Sequence, residues 1–205
     1  RPATLRTNPS RTDGADPRVS IVVGLTGSNA AGKGAVAEYL RESGFAVHSL
    51  SDVIREVAAE RGLPPLREHL IRIGNELRRG GGAGALAVAI RPRLGRRDVV
   101  DSIRNPAEVE VLRTIPGFVL VGVRAPIELR FERSRVRGRP GDPESLAQFA
   151  SREAQENTDD PDAQQLRATF LLADEVLDNQ GDLSALHHAI DELLSRRVGS
   201  APRRS

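Results

Sequence analysis

One stretch of this chain constrains its fold more than any other. An apolar run at residues 19–25 leads into a loop with two glycines, a lysine and a third glycine, and an apolar helical pattern follows at once. The loop reads Gly27-Ser28-Asn29-Ala30-Ala31-Gly32-Lys33-Gly34. A strand, such a loop and a helix make a P-loop, in which backbone N–H groups and the helix N-terminus hold phosphate oxygens. The sequence therefore predicts a nucleotide site here.

The composition strengthens this prediction. The chain has 30 Lys and Arg residues, and all but one of them are arginine. The exception is Lys33, at the position where a compact, mobile ammonium reaches the outer phosphates and a planar guanidinium would fit badly. The next position, where a Ser or Thr hydroxyl usually binds Mg²⁺, is Gly34. We therefore expect Mg²⁺ to be held by the nucleotide, water and a carboxylate, and we predict no metal site of the protein's own.

The remaining composition excludes several classes of protein. The 205 residues include no cysteine, which excludes disulfides and thiolate zinc sites. No apolar run approaches the roughly 20 residues that a membrane helix needs. The net charge is +2, the basic residues are scattered among acidic ones, and aromatic residues make up 3%, so nucleic acid is not favoured as a partner. We expect a cytoplasmic protein that binds small molecules; nothing indicates its oligomeric state.

The order of apolar patterns predicts the fold class. Residues 1–17 and 196–205 are polar and lack periodicity, which predicts a disordered leader and a disordered tail. Between them, at residues 18–195, strands alternate with helices, a pattern typical of a parallel sheet covered by helices. The predicted strands lie at residues 19–25, 45–50, 98–103, 118–123 and 174–177. The prediction is an α/β protein with a three-layer P-loop NTPase fold, its five-stranded parallel sheet flanked by helices.

Two insertions into this pattern point to function. The long segment between the second and third strands predicts an inserted helical lobe at about residues 51–95, with a flexible joint at residues 80–84. After the fourth strand, Arg130, Arg133 and Arg137 fall on one face of a helix, and a Gly-Arg-Pro-Gly loop containing Arg139 follows. Mobile arginines of this kind neutralise charge during phosphoryl transfer. We predict an arginine lid at about residues 133–157.

Charged residues also follow the second and third strands. Asp101 ends the third strand and Arg104 follows it, whereas Asp52 and Arg55 lie one helical turn apart after the second. Ligands bind at the carboxyl ends of parallel strands. Asp101 could hold Mg²⁺ through water or accept a proton, or it could be a structural cap. Arg55 and Arg104 could converge on a second phosphate group, because a guanidinium fits phosphate geometry.

Together these motifs resemble the nucleoside monophosphate kinase branch of P-loop proteins. The chain looks most similar to predicted nucleotide kinases related to adenylate kinase, dephospho-coenzyme A kinase and deoxynucleotide monophosphate kinases. The resemblance rests on Gly-Lys-Gly at residues 32–34, on the segments at 51–56 and 101–104, on the arginine lid and on residues 173–183. It departs from adenylate kinases at Ala35, where they usually have threonine, and at Ser51, where they have glycine.

The resemblance implies a role for each matching position. ATP would be bound by Gly27, Ser28, Asn29, Ala30, Ala31, Gly32, Lys33, Gly34, Ala35, Asn179 and Gly181, the last two beside the base. The acceptor would be bound by Asp52, Arg55 and Arg104. The predicted catalytic residues are Lys33, Asp101, Arg133, Arg137 and Arg139.

The sequence thus predicts an ATP-dependent phosphotransferase that moves the γ-phosphoryl group to a nucleoside or deoxynucleoside monophosphate, with ATP and Mg²⁺ as cofactors. Two alternatives stay open. One is a dephospho-coenzyme A kinase-like enzyme, suggested by the strand that ends near Asp178 and by the helix after it. The other is a regulatory module that binds ATP without turnover, suggested by the missing hydroxyl at Gly34.

Overall fold

A computed structural model describes residues 20–138 and 142–199. Five strands form one sheet in the order β2-β3-β1-β4-β5, and every neighbouring pair is parallel. The strands are β1 (Ile21–Thr26), β2 (Ala46–Ser49), β3 (Arg97–Asp101), β4 (Phe118–Arg124) and β5 (Glu175–Asp178). The predicted α/β class and five-stranded parallel sheet are confirmed. The predicted leader at residues 1–17 lies outside the described residues.

Helices cover both faces of the sheet. They are α1 (Lys33–Glu42), α2 (Leu50–Glu60), α3 (Arg67–Gly81), α4 (Ala85–Ile90), α5 (Pro106–Arg113), α6 (Ile127–Arg137), α7 (Leu146–Gln155), α8 (Leu166–Leu171) and α9 (Leu183–Gly199), with a short 3-10 turn at Arg91–Arg93. Successive residues of β1 point to opposite faces, so Val23 joins a core with α1 and α9, whereas Val22 joins a core with α2 to α5. Burial on both faces explains why β1 and β4 are apolar up to their last residues, Thr26 and Arg124.

The strand order places the ligand site at β1. The chain leaves β1 towards β2 on one side of the sheet, and later crosses from β3 to β4 on the other side of β1. Ligands of open parallel sheets bind at the carboxyl ends of the strands where the connections diverge in this way. The P-loop follows the carboxyl end of β1, so it lies at this switch point.

Three local details differ from the sequence prediction. Helix α3 continues through Gly81, so the predicted joint at residues 80–84 begins later than expected. Helix α9 continues to Gly199, so the predicted disordered tail is wrong for residues 196–199, where Arg196 and Arg197 both pair with Glu175 of β5. Residues 200–205 lie outside the described residues. Helix α8 was not predicted; its six residues are too short to show a clear period.

Candidate active site

Two glycines shape the loop after β1. Gly27 and Gly32 have φ angles of 135° and 110°, which side-chain-bearing residues rarely adopt. A Cβ on Gly27 would lie 2.1 Å from the Val123 carbonyl oxygen, and one on Gly32 would lie 1.9 Å from Asn179 Nδ2. Gly32 is the N-cap of α1, and no side chain caps this end of the helix. The helix N-terminus is therefore open to an anion.

Lys33 lies across this loop. Its Nζ donates to the carbonyl oxygens of Gly27, at 2.6 Å, and Ser28, at 2.9 Å. Burial lowers the pKa of Lys33 to about 8, and the positive charge of Arg104 acts in the same direction, whereas the Asp101 carboxylate opposes both. A bound polyanion would therefore favour the charged form of this lysine.

Asp101 is fixed at the end of β3. Its Oδ1 accepts a hydrogen bond from the Ser102 backbone N–H at 2.6 Å, and Ser102 has a φ of 67°. The Ser102 hydroxyl lies 3.2 Å from that of Ser49 and 3.1 Å from that of Ser51, which are themselves 2.8 Å apart. This serine cluster joins the ends of β2 and β3, and sequence patterns gave no sign of it because its members are up to 53 positions apart.

Helix α6 brings the predicted lid arginines to the P-loop. Arg130 Nη1 lies 3.4 Å from the Asn29 carbonyl oxygen, and Arg137 Nη1 lies 3.5 Å from Asn29 Oδ1. Arg133 Nη2 lies 3.5 Å from Asn179 Oδ1, and its buried Nη1 has no hydrogen-bond partner among residues 20–138 and 142–199. These contacts are long, so the lid rests on the loop without strong hydrogen bonds. Arg139 lies outside the described residues.

Asn179 supports the P-loop from the far side. Its Nδ2 donates to the Ala31 carbonyl oxygen at 2.8 Å, and its backbone N–H donates to the Arg124 carbonyl oxygen at 2.9 Å. Its side chain is buried. The structure thus places Asn179 against the predicted phosphate loop, and Gly181 follows on the exposed turn before α9. Whether the two seat a base stays a prediction.

The predicted acceptor residues are divided between two places. Arg104 Nη1 donates to Glu156 Oε2 at 2.9 Å and to Gln164 Oε1 at 3.1 Å. Arg55 and Asp52 pair with each other at 2.5 Å on α2, and about half of each side chain is exposed. The contacts of the described residues do not join Arg55 to Arg104.

A buried ion pair fixes the loop that carries Arg104. Glu108 completes a capping box with Asn105 at the start of α5, and its Oε2 also accepts from the backbone N–H of Arg104 at 2.8 Å. Its Oε1 accepts from Arg78 of α3 at 2.8 Å, and both side chains are buried. Burial raises the pKa of Glu108, although Arg78 and the backbone donors act in the opposite direction. The ion pair thereby joins the inserted lobe to the loop after β3.

Two further observations concern the described residues. In the part of the chain that the structure describes, no group of three or more His, Cys, Asp or Glu side chains is placed to hold a metal ion. Within the same residues, no helix combines the length and the apolar character needed to cross a membrane.

The chain has relatives among known proteins. It is 33% identical over 190 residues to a UPF0200 protein of Hyperthermus butylicus, which covers 91% of this chain and 98% of that protein. It is 31% identical over 193 residues to a UPF0200 protein of Pyrococcus horikoshii, with coverages of 90% and 100%. No family model matches the sequence.

Solved structures share the architecture at low sequence identity. The protein TT1252 from Thermus thermophilus aligns with a TM-score of 0.58 at 21% identity, covering 87% of this chain and 98% of that one. Shikimate kinase from Acinetobacter baumannii, solved in complex with shikimate, aligns with a TM-score of 0.55 at 16% identity, covering 91% and 97%. At this level of identity the likeness concerns the fold, which is that of P-loop kinases.

Proposed function

The chain belongs to the UPF0200 family. We propose that it is an ATP-dependent phosphotransferase that moves the γ-phosphoryl group to a nucleoside or deoxynucleoside monophosphate. The observation that carries the proposal is the contact between the P-loop and the arginines of α6. A loop that only bound a nucleotide would not need several cations beside the transferred group. Phosphoryl transfer does need them, because charge spreads over the oxygens in flight.

Each group then has a role in positioning or neutralisation. The P-loop backbone, the open N-terminus of α1 and the Lys33 ammonium bind the β- and γ-phosphates. Arg133 and Arg137, with Arg139 from the loop after α6, close over the transferred group. An arginine in this role contributes on the order of 10³-fold or more in rate. Arg104 binds the acceptor phosphate, with Asp52 and Arg55 on α2 as the outer part of the acceptor site.

The residues present fit a nucleotide that brings its own Mg²⁺. A Cβ on Gly34 would meet no atom within 4 Å, so there is open space beside Lys33, and the Asp101 carboxylate ends the neighbouring strand. Bound Mg²⁺ would neutralise phosphate charge, and phosphate oxygens and water would supply most of its ligands. Ala35, on the first turn of α1, and Asn179 with Gly181 complete the proposed ATP site.

The test is a screen for acceptor-stimulated ATP consumption. The purified chain is assayed with Mg²⁺ and ATP against ribonucleoside monophosphates, deoxyribonucleoside monophosphates and dephospho-coenzyme A. The proposal expects ADP formation that rises with one or more of the monophosphates. ATP binding without acceptor-stimulated turnover would contradict it and would favour the regulatory module.

A second candidate is phosphorylation of a hydroxyl group, as in a dephospho-coenzyme A kinase-like enzyme. Asp101 favours it, because a hydroxyl acceptor must lose a proton and this carboxylate lies close enough to raise the pKa of Lys33. A monophosphate acceptor needs no such base. Stimulation by dephospho-coenzyme A alone, lost in Asp101→Asn, would establish this candidate over the first.

A further inference from the structure

Two arginines from distant parts of the chain converge on one buried carboxylate. Arg67 begins α3, Arg104 follows β3, and Glu156 is the C-cap of α7. Arg67 Nη2 contacts Glu156 Oε1, and Arg104 Nη1 donates to Glu156 Oε2 at 2.9 Å. The Glu156 side chain is 5% exposed, whereas that of Arg67 is 47% exposed. The carboxylate is thus enclosed between two guanidinium groups, one of which reaches solvent.

The two arginines need an anion between them. Burial lowers the pKa of Arg104 to about 10, and the next largest cause is the positive charge of Arg67. Burial also lowers the pKa of Arg67 from its ordinary value. Two partly desolvated cations that repel each other are stable only with a negative group that bonds to both. A carboxylate with one oxygen on each guanidinium meets this need, and so does a phosphate group.

The position of the pair links it to the phosphate loop. A narrow cleft that opens to solvent is lined by Arg67, Glu156 and Asn29 of the P-loop. Phe149, Arg152 and Glu153 of α7 line its other side. Glu156 therefore belongs to the lid, whereas Arg67 belongs to the inserted lobe and Arg104 to the sheet. Movement of the lid would carry the carboxylate away from the two arginines.

We propose that Arg67 and Arg104 form the subsite for the phosphate group of the acceptor, and that the Glu156 carboxylate holds this place until the acceptor displaces it. The inference rests on the proposed function, because only a phosphotransferase has an acceptor. It assigns an acceptor that carries a phosphate or a similar oxyanion. Sequence patterns suggested Arg55 as the partner of Arg104 and did not single out Arg67. The structure instead places Arg67 beside Arg104.

The test measures binding of inorganic phosphate to the full chain by titration calorimetry, without turnover. Glu156→Gln removes the competing charge while keeping the shape of the side chain. It should bind phosphate on the order of tenfold more tightly than the parent, since a full negative charge is removed from the ion pairs with both arginines. Arg67→Ala should bind phosphate on the order of tenfold more weakly, since one charge-assisted contact is lost.

A matched control comes from Glu76, whose carboxylate also lies between two arginines, Arg61 at 2.6 Å and Arg72 at 3.8 Å, but on the surface. Glu76→Gln should leave phosphate affinity unchanged. Phosphate could also bind at the P-loop, and that binding should depend on Lys33. The effects of Glu156→Gln and Arg67→Ala on phosphate affinity should therefore persist when Lys33 is also replaced by alanine. If the acceptor screen failed, the proposed kinase activity would be refuted. The titrations would still test whether Arg67 and Arg104 bind phosphate.

Two results would overturn the inference. Weaker or unchanged phosphate binding in Glu156→Gln would mean that the carboxylate only fastens the two arginines in place. Unchanged binding in Arg67→Ala would mean that Arg67 takes no part. Thermal unfolding of each variant shows whether it folds; if Glu156→Gln does not, Arg67→Ala alone decides, because its half-exposed side chain can be removed without opening a core.

Discussion

Lys33 combines features that are seldom found together in a surface loop. It is the single lysine of the chain, it bonds to two carbonyl oxygens of its own loop, and burial holds its pKa near 8. A phosphate group offers stronger acceptors than the two carbonyl oxygens, so nucleotide binding should draw the ammonium away from them. In the proposed function, the lysine would both recognise the donor and neutralise the transferred group.

This environment predicts proton uptake when a nucleotide binds. The bound phosphates favour the charged lysine and raise its pKa above about 8. Affinity for ATP should therefore be constant below that pH and fall as the pH rises above it, and binding at such higher pH should take up a proton. Calorimetry in buffers of different ionisation enthalpy measures the uptake. Lys33→Met should abolish it; uptake that survived in this variant would assign the proton to another group.

Replacing Gly32 or Gly34 by alanine should change the free energy of unfolding in opposite directions. Gly32→Ala forces a Cβ to 1.9 Å from Asn179 Nδ2 at a φ of 110°, so the variant should lose about 2–3 kcal/mol of unfolding free energy. Gly34→Ala meets no atom within 4 Å and lies inside α1, so it should gain up to about 1 kcal/mol. Denaturant unfolding measures both values. Equal stabilities would show that Asn179 does not brace the loop.

Among the structural elements, α3 and α5 are joined in a way that local patterns could not reveal. Arg78 lies on one side of the inserted lobe and Glu108 on the first turn of α5, 30 positions later. Their buried pair fixes the backbone of Arg104 through the second carboxylate oxygen of Glu108. The inserted lobe is thus attached to the sheet by charge as well as by apolar packing.

The pair predicts a double-mutant cycle with a large coupling energy. Arg78→Met leaves a buried carboxylate without its cation and should cost about 3–5 kcal/mol. Adding Glu108→Gln removes that charge and should restore part of the stability. Because burial raises the pKa of Glu108, the single variant should also lose stability as the pH rises, whereas the double variant should not. Additive effects in urea unfolding would show that the two residues are not coupled.

These cases show which parts of the molecule the sequence can predict. The P-loop and α1 were predicted because each depends on residues within one or two turns of the chain. The lid arginines were found because they repeat on one helical face. The contacts of Glu156 with Arg67 and Arg104 could not be found in this way, since the three residues are far apart in the sequence and only Arg104 follows a strand.

In the molecule as a whole, three units meet at the carboxyl end of β1. The sheet supplies the P-loop, Asp101 and Arg104; the lobe of α2 to α4 supplies Arg67; and the lid of α6 and α7 supplies the remaining arginines and Glu156. The lid reaches the P-loop through contacts of 3.4–3.5 Å, which are weak enough to open. We expect donor and acceptor to strengthen them, since phosphates add charge-assisted bonds.

Transfer of labelled γ-phosphoryl from ATP to the acceptor that the screen identifies would show whether the P-loop is the site of the reaction. The parent chain should form labelled product, and Lys33→Ala should form it at least about 10²-fold more slowly while keeping the same thermal unfolding. Folded Lys33→Ala with the activity of the parent would contradict the account, because phosphoryl transfer would then not take place at the P-loop.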